Sequence, residues 1–588
     1  MAFESAANLA DSRAPRRRAW HRVMVLVALL AATIRVGFTI YTFPNVVDEP
    51  FHIAAATALY DVHKHTVGVV QPPFAYLVEG LVLHFSGVHL PAAYRTTTVR
   101  DEPTAYVVGE EVLFDGPMSY LQVLHRARWG VFVFGLTALL YVYLLGRWVG
   151  GAMTGALALT FFSLDPTLLG HWTWVHTDVC ATAGFLAGLY HGARWVMSPG
   201  RWHALAAGVA LGVALACKFT CVALIPTLGV FWLFRRFRKS STCPGAGQIA
   251  MAMVVAFFTL WGTYLFNIGR LDDQSRFRTD TQWGLIPQWV KQTPVPMPSF
   301  WLGLLWMAKI NHDGAVGYLN GELGRHGWWY YFPEAMALKS TVGFLLALAL
   351  AGGCLLIFRR RLSRRVAPIA LAAVVFLAIA MTGPYNLGIR HVLPVLALLY
   401  VLIAWQLVRT RLTVALLSCI AIAAVETAVA HPDYLSFFNV LIGGPKNGDR
   451  YLVDSNIDWG QDVGRLADWL RSPQASGRDY SLRIFMNPDV PLLRTLGVNC
   501  DAIKSKPHGL FAISKNFIHH LAWVDYKEDG TRTDPPDYSL IIQGHPRIAR
   551  IGNSIEVYDL DQSIDGSPPA KASAGANSDA QTSHALLR

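Results

Sequence analysis

The chain has 588 residues, 53% of them apolar and only 15% charged, with a mean hydropathy of +0.34. Soluble globular domains carry about 25% charged residues, so this composition excludes that class and points to a polytopic membrane protein. The formal charge of +11 does not indicate nucleic acid, because the basic residues fall in short clusters between apolar runs and no stacking-plus-basic module accompanies them.

In chain order, Arg16-Arg17-Arg18 precede an apolar run from Val23 to Tyr41. The run approaches the roughly 20 residues that span a bilayer and no Ala-x-Ala site precedes Asp48, so it reads as a retained signal-anchor. Further long runs lie near 128 to 147, 174 to 197, 247 to 267, 335 to 357, 366 to 383, 390 to 408 and 412 to 430, and shorter ones near 150 to 165, 203 to 217 and 219 to 234. Eleven spans are therefore expected. With residues 1–20 cytoplasmic, alternation places inside the clusters Arg16 to Arg18, Arg147, Arg194 with Arg201, Arg235-Arg236-Phe237-Arg238-Lys239, Arg359-Arg360-Arg361 with Arg364-Arg365, and Arg409 with Arg411. That is the pattern the positive-inside rule requires.

The same alternation puts loops 43–125 and 268–334, and everything after His431, on the extracytoplasmic side of a cell or inner membrane. Leu77 to Phe85 is too short to span and reads as an interfacial helix. The expected organisation is a membrane domain over 21–432, an extracytoplasmic α/β domain over 433–561 and a disordered tail over 562–588, rich in Ser, Ala and Gly. In the α/β domain Tyr451 to Val453, Ser481 to Met486, Leu510 to Ser514 and Tyr538 to Gln543 read as strands, and Asp462 to Leu470 as an amphipathic helix. Of seven cysteines only Cys500 lies in this polar part, so no internal disulfide is expected there. Cys217 and Cys221 share a helix face, but without His or carboxylate neighbours they read as small core residues.

Several residues carry chemistry. Asn45-Val46-Val47-Asp48-Glu49-Pro50-Phe51-His52 sits where the first span emerges into water, so Asp48 and Glu49 are a general base, metal ligands or helix caps. Asp178 ends His171-Trp172-Thr173-Trp174-Val175-His176-Thr177-Asp178 inside the fourth span, where a carboxylate is functional or paired with a nearby His or Arg. Lys218 and the pair Arg390-His391 interrupt apolar stretches at the outer level, which suits a phosphate-bearing lipid and equally suits snorkelling anchors. Gly327-Trp328-Trp329-Tyr330-Tyr331-Phe332-Pro333 is an interfacial belt, or a surface on which a sugar or a polyprenyl chain packs. Asp454-Ser455-Asn456-Ile457-Asp458-Trp459-Gly460-Gln461-Asp462 spaces three acids four apart without the glycine and final glutamate of a calcium loop, leaving helix capping against an acceptor or metal role.

Together, Asp48-Glu49, Gln71-Pro72-Pro73, Asp165-Pro166 with Asp178, Lys218, the segment Gly327 to Pro333 and Gly388-Ile389-Arg390-His391 resemble the GT-C superfamily of polyprenyl-phosphate-sugar-dependent glycosyltransferases. The closest branch is the protein-O-mannosyltransferase-like one, which includes the aminoarabinose transferases, and the resemblance covers about residues 20–470. It implies an all-α, roughly eleven-span GT-C-like membrane protein with a small C-terminal α/β domain. It implies a catalytic base at Asp48, supported by Glu49 and Asp178, and lipid-phosphate or donor binding by Lys218, Arg390 and His391. Trp328, Trp329 and Tyr330 are expected sugar or acceptor contacts. The C-terminal domain is not the β-trefoil of eukaryotic protein mannosyltransferases, so a protein acceptor is not inherited; protein, lipid and glycan acceptors stay open. No metal-ligand set and no cofactor is identified, and a divalent metal remains an alternative. A transporter or lipid flippase is the rival reading, although such proteins place their charges near the bilayer midplane and often show repeats. A non-enzymatic scaffold is the third.

Overall fold

The computed structural model describes residues 2–96, 102–238, 242–274, 286–358, 363–486, 491–499, 501–521, 525–526, 532–533 and 536–564. Lys239, Arg359-Arg360-Arg361, Cys500 and the tail from 565 onward lie outside the described residues.

Every apolar run forms helix, because a backbone in hydrocarbon can satisfy its N–H and C=O groups only internally. In order these are α1 (Ala2–Thr42), α2 (Glu49–Val62), α3 (Phe74–Phe85), α4 (Glu102–Phe114), α5 (Tyr120–Gly150), α6 (Ala152–Phe162), α7 (Pro166–Trp172), α8 (Asp178–Met197), α9 (Arg201–Cys217), α10 (Leu224–Phe237) and α11 (Ala246–Thr263). There follow α12 (Tyr331–Lys339), α13 (Val342–Phe358), α14 (Ala367–Thr382), α15 (Leu393–Arg409) and α16 (Thr413–Val429).

Among the described residues, five helical runs are long and apolar enough to cross a membrane: Trp20–Thr42, Tyr120–Gly150, Phe219–Phe237, Ala246–Thr263 and Ile389–Arg409. Two bent pairs, α6 with α7 (68°) and α12 with α13 (119°), raise the number to seven. The chain is thus a multi-pass membrane protein. The other expected spans are shorter apolar helices of 16 or 17 residues, α9, α14 and α16, or, in α8, mix Asp178, His191 and Arg194 into the apolar residues. The run Ile389–Arg409 is 78% buried and lies at the centre of the bundle, whereas Ala246–Thr263 is 22% buried and turns Met253, Val254 and Phe258 outward, an apolar surface that suits lipid.

Asp165 sits at the α6–α7 break. It caps α7 by accepting from Leu168 N at 2.9 Å and receives the Tyr400 hydroxyl at 2.8 Å, so this buried acid fixes the bend. Between α11 and α12 a hairpin forms from β1 (Gly317–Leu319) and β2 (Glu322–Gly324).

The C-terminal domain is a four-stranded mixed sheet in the order β3 (Tyr480–Arg483), β4 (Leu510–Ser514), β6 (Ile555–Asp559), β5 (Arg547–Ile551). β3 and β4 are parallel and the other pairs antiparallel. α17 (Val463–Leu470) buries Val463, Leu466 and Ala467 in one cluster with Leu482, Ile555 and Val557. Two strand expectations fail. Residues 451–453 lie between short 3-10 turns at Gly448–Arg450 and Asp454–Asn456. Tyr538–Ile542 is helical because Asp537 caps it, accepting from Ser539 N and Leu540 N. The edge hairpin of β5 and β6 was not foreseen. The six described cysteines are unpaired, and five of them are buried.

Candidate active site

α2 starts where the sequence says it should, with Pro50 in its first turn, but the two acids before that proline part company. Asp48 stands at the N-cap position without making a side-chain cap bond. Its side chain, 26% exposed, lies 3.5 Å from Arg390 Nη1 and accepts the Tyr106 hydroxyl at 3.2 Å. Tyr106 can reach it because Gly109, one turn on in α4, rests against the Pro50 backbone in space that a Cβ would fill.

Glu49 turns the other way and is completely buried. Its Oε1 accepts from Arg128 Nε (2.8 Å) and Val175 N (3.0 Å), and its Oε2 from Arg128 Nη2 (2.8 Å) and Val46 N (2.9 Å). Arg128 spends its remaining donors on the carbonyls of Ile40, Phe43 and Pro44. All five guanidinium N–H groups are engaged. Glu49 therefore has no free lone pair to offer a substrate; it ties the end of α1, the start of α2, α5 and the segment before α8 together.

Asp178 opens α8 and gathers cations from two further helix breaks. Lys218 Nζ lies 2.6 Å from Oδ1 and His176 Nδ1 3.1 Å from Oδ2; Arg390 Nη1 and His391 Nδ1 each lie 3.9 Å away. Lys218 is held in extended conformation between α9 and a 3-10 turn at Phe219–Ala223, while Arg390 and His391 occupy the 3-10 turn Ile389–Val392 before α15. Arg390 thus bridges Asp48 and Asp178, and its guanidinium lies over the Trp459 ring at 4.2 Å. Arg390 Nε and His391 Nε2 are buried without a hydrogen-bond partner. Buried polar atoms are nearly always satisfied, so the cluster keeps donor and acceptor capacity for another molecule. His52, one turn along α2, is buried with Nδ1 3.2 Å from the Tyr76 hydroxyl.

Of the acids of 454–462, Asp458 and Asp462 make contacts other than the expected helix caps. Asp462 precedes α17 but makes no cap bond to it; its carboxylate accepts from Asn553 N (3.1 Å), Ser554 Oγ (2.8 Å) and Arg465 (2.8 Å). Asp458 binds the Ser514 hydroxyl and Gly460 N, and burial raises its pKa to about 7. Burial likewise lifts Asp454 to about 6, against the opposing pull of Arg390. Asp454 also holds a left-handed backbone at φ 60°. This folding of the segment aims its other residues at the charge cluster. Asn456 accepts from Ile389 N (3.1 Å) and donates to the Tyr331 hydroxyl (3.0 Å), Ser455 donates to Leu387 O (2.9 Å), and Trp459 O receives Val47 N (3.0 Å). The C-terminal domain thereby clamps both the Arg390 turn and the segment leading into Asp48.

Six expected site residues, Asp48, Glu49, Asp178, Lys218, Arg390 and His391, meet in one region, Glu49 as its support. The aromatic expectation does not converge in the same way. Trp328 is fixed by donating its backbone N–H to Asn386 (2.6 Å), Trp329 is 69% exposed and Tyr330 packs on it at 5.6 Å. Among the described residues no hydrogen bond, ion pair or ring contact joins Trp329 or Tyr330 to the charge cluster. The neighbouring Tyr331 does face inward. Sequence reasoning assigned no role to His176, Tyr331, Asn456 and Trp459, although each stood inside a motif it had marked; Tyr106 carried no signal at all.

Residues 122–261 match the family model described as dolichyl-phosphate-mannose-protein mannosyltransferase. Comparison with curated proteins gives no match. Among solved structures, the chain is similar to ArnT from Cupriavidus metallidurans bound to undecaprenyl phosphate, at 12% identity and TM-score 0.44, over 92% of this chain and 98% of that one. It is also similar to the oligosaccharyltransferase AglB from Archaeoglobus fulgidus in complex with an inhibitory peptide and a dolichol-phosphate, at 12% identity and TM-score 0.45, over 88% and 74%. A third similarity is to the Pmt1-Pmt2 protein O-mannosyltransferase complex of S. cerevisiae bound to the sugar donor, at 15% identity and TM-score 0.32, over 42% and 33%. With TM-scores below 0.5 these three likenesses support nothing further. The matched segment runs from α5 through Lys218 into α11 and contains Asp178, and over that segment the chain is similar to the family described as dolichyl-phosphate-mannose-protein mannosyltransferase.

Proposed function

We propose that the protein transfers a sugar from a polyprenyl-phosphate carrier to an acceptor hydroxyl by single displacement with inversion, at the extracytoplasmic face. The observation that carries this reading is Arg390, 3.5 Å from Asp48 and 3.9 Å from Asp178, with Lys218 bound to the same aspartate. Asp48 is the base: half-open, uncapped and free to take the acceptor proton. The acceptor oxygen attacks the anomeric carbon from the face opposite the carrier, the bond from that carbon to the phosphate oxygen breaks, and Arg390 and Lys218 stabilise the charge left on the carrier phosphate. His391 adds a donor to the same phosphate.

Asp178 positions the two cations and Glu49 positions the start of α2; neither is needed as a nucleophile, because inversion requires one carboxylate and no covalent intermediate. Trp329 and Tyr330 fit a membrane-facing or acceptor-facing surface. In this reading the chain crosses the membrane eleven times, with a cytoplasmic N-terminus, a membrane domain over 21–432 and an extracytoplasmic domain over 433–561. The acceptor is a protein, lipid or glycan hydroxyl of the cell envelope. The test is incubation of purified protein with labelled polyprenyl-phosphate sugars and envelope extract. Parent protein labels an acceptor and Asp48→Asn does not, while still binding the donor; full transfer by Asp48→Asn refutes the mechanism, and transport of the carrier without transfer favours a flippase.

A further inference from the structure

Far from the charge cluster, the α2–α3 pair brings together a second set of ligand-type side chains. Asp61 in the last turn of α2, His84 in the last turn of α3 and His89 in the loop beyond it each present one ligand atom within 4.8 Å of the others. Asp61 Oδ1 is 2.8 Å from His89 Nδ1, while its Oδ2 accepts from Leu90 N at 2.7 Å. One carboxylate oxygen is therefore fixed by the backbone and the other is turned to the histidines. The His84 ring stacks on Tyr60 at 5.4 Å and meets His89 edge-on at 5.4 Å, and its Nδ1 is buried without a hydrogen-bond partner. Arg95 approaches only the far oxygen, at 4.0 Å.

We propose that Asp61, His84 and His89 bind one divalent transition-metal cation of the zinc type, which pins α2 to α3. Two borderline imidazole nitrogens beside one hard carboxylate oxygen favour zinc-like ions over magnesium or calcium. Three protein ligands leave a fourth position for water, and His89, 40% exposed, opens the site to solvent. The hydrogen bond from Leu90 N orients the carboxylate as a second layer around a metal does. The scaffold is firm: Gly80, one turn before His84, lies so close to α2 that a Cβ would stand 2.5 Å from Ala56 O and 2.6 Å from the Tyr60 ring. Asp61 is twelve residues beyond Glu49, about 18 Å along the helix, so the ion braces the helix that begins at Asp48 and takes no part in transfer.

The test uses full-length protein in detergent, stripped with a chelator, then titrated with Zn²⁺ against a chromophoric chelator in the presence and absence of millimolar Mg²⁺ and Ca²⁺. One equivalent per chain is expected, insensitive to Mg²⁺ and Ca²⁺, together with a rise in thermal midpoint on loading. His84→Ala and His89→Ala each weaken binding at least about tenfold and abolish that rise, whereas Asp48→Asn changes neither. His89 is a loop residue, so His89→Ala, with its fold checked by size-exclusion elution, decides the matter where His84→Ala fails to fold. No binding above the buffer control, or equal binding by parent and His89→Ala, overturns the site.

Discussion

Two acidic clusters lie within one clamp of each other and are built on opposite terms. In the segment 454–462 the carboxylates of Asp458 and Asp462 are buried and answered by backbone N–H groups, hydroxyls and Arg465. At the start of α2 and α8, Asp48 and Asp178 share Arg390 at 3.5 and 3.9 Å, and Arg390 Nε and His391 Nε2 lack partners. A saturated network holds shape; an under-filled one has room for a ligand. Glu49 and Asp48, adjacent in sequence, fall on opposite sides of that division.

The sharpest way to break the comparison is Asp48→Asn, expected to lower transfer by about 10²–10⁴-fold, the range for a general base, with an unchanged elution profile. An equal loss of folded protein would make Asp48 structural instead. Glu49→Gln should do the reverse: it leaves Arg128 buried without its counter-charge, a cost of about 3–5 kcal/mol, seen as a collapsed thermal midpoint and poor recovery of folded protein. Lys218→Met should reduce turnover about a hundredfold, as loss of one charge-stabilising donor does, with a smaller change in folded yield. Next comes pH. Burial raises Asp458 from 3.8 to about 7, so the folded chain keeps a proton that the unfolded chain releases. The stability from this group is full below about pH 4 and is lost as pH rises through about 7. Asp458→Asn should flatten that decline in a plot of thermal midpoint against pH. Smallest is Trp329→Ala, expected within about 0.5 kcal/mol of parent stability; a marked loss of transfer would return this ring to the active site.

Much of this was legible beforehand. Every apolar run became helix, and Asp48, Asp178, Lys218, Arg390 and His391 converge although the chain separates them by up to some 340 residues. Charge in an apolar context is conspicuous because it costs so much there. The aromatic run was less legible, since ring density marks an interface without saying which rings turn inward, here Tyr331 and Phe332. The C-terminal domain misled: 451–453 and 538–543 have strand-like composition, yet 3-10 turns on one side and the Asp537 cap on the other decide them.

The class of protein, the helical runs and the charged residues worth attention could be read along the chain, because hydrophobicity and the cost of burying charge act locally. That Glu49 faces Arg128 while Asp48 faces Arg390, and that Asn456 and Trp459 hold the Arg390 turn, emerges from the folded arrangement alone. Those choices depend on which distant backbone groups arrive with free donors and acceptors, and neither spacing nor composition records that arrival.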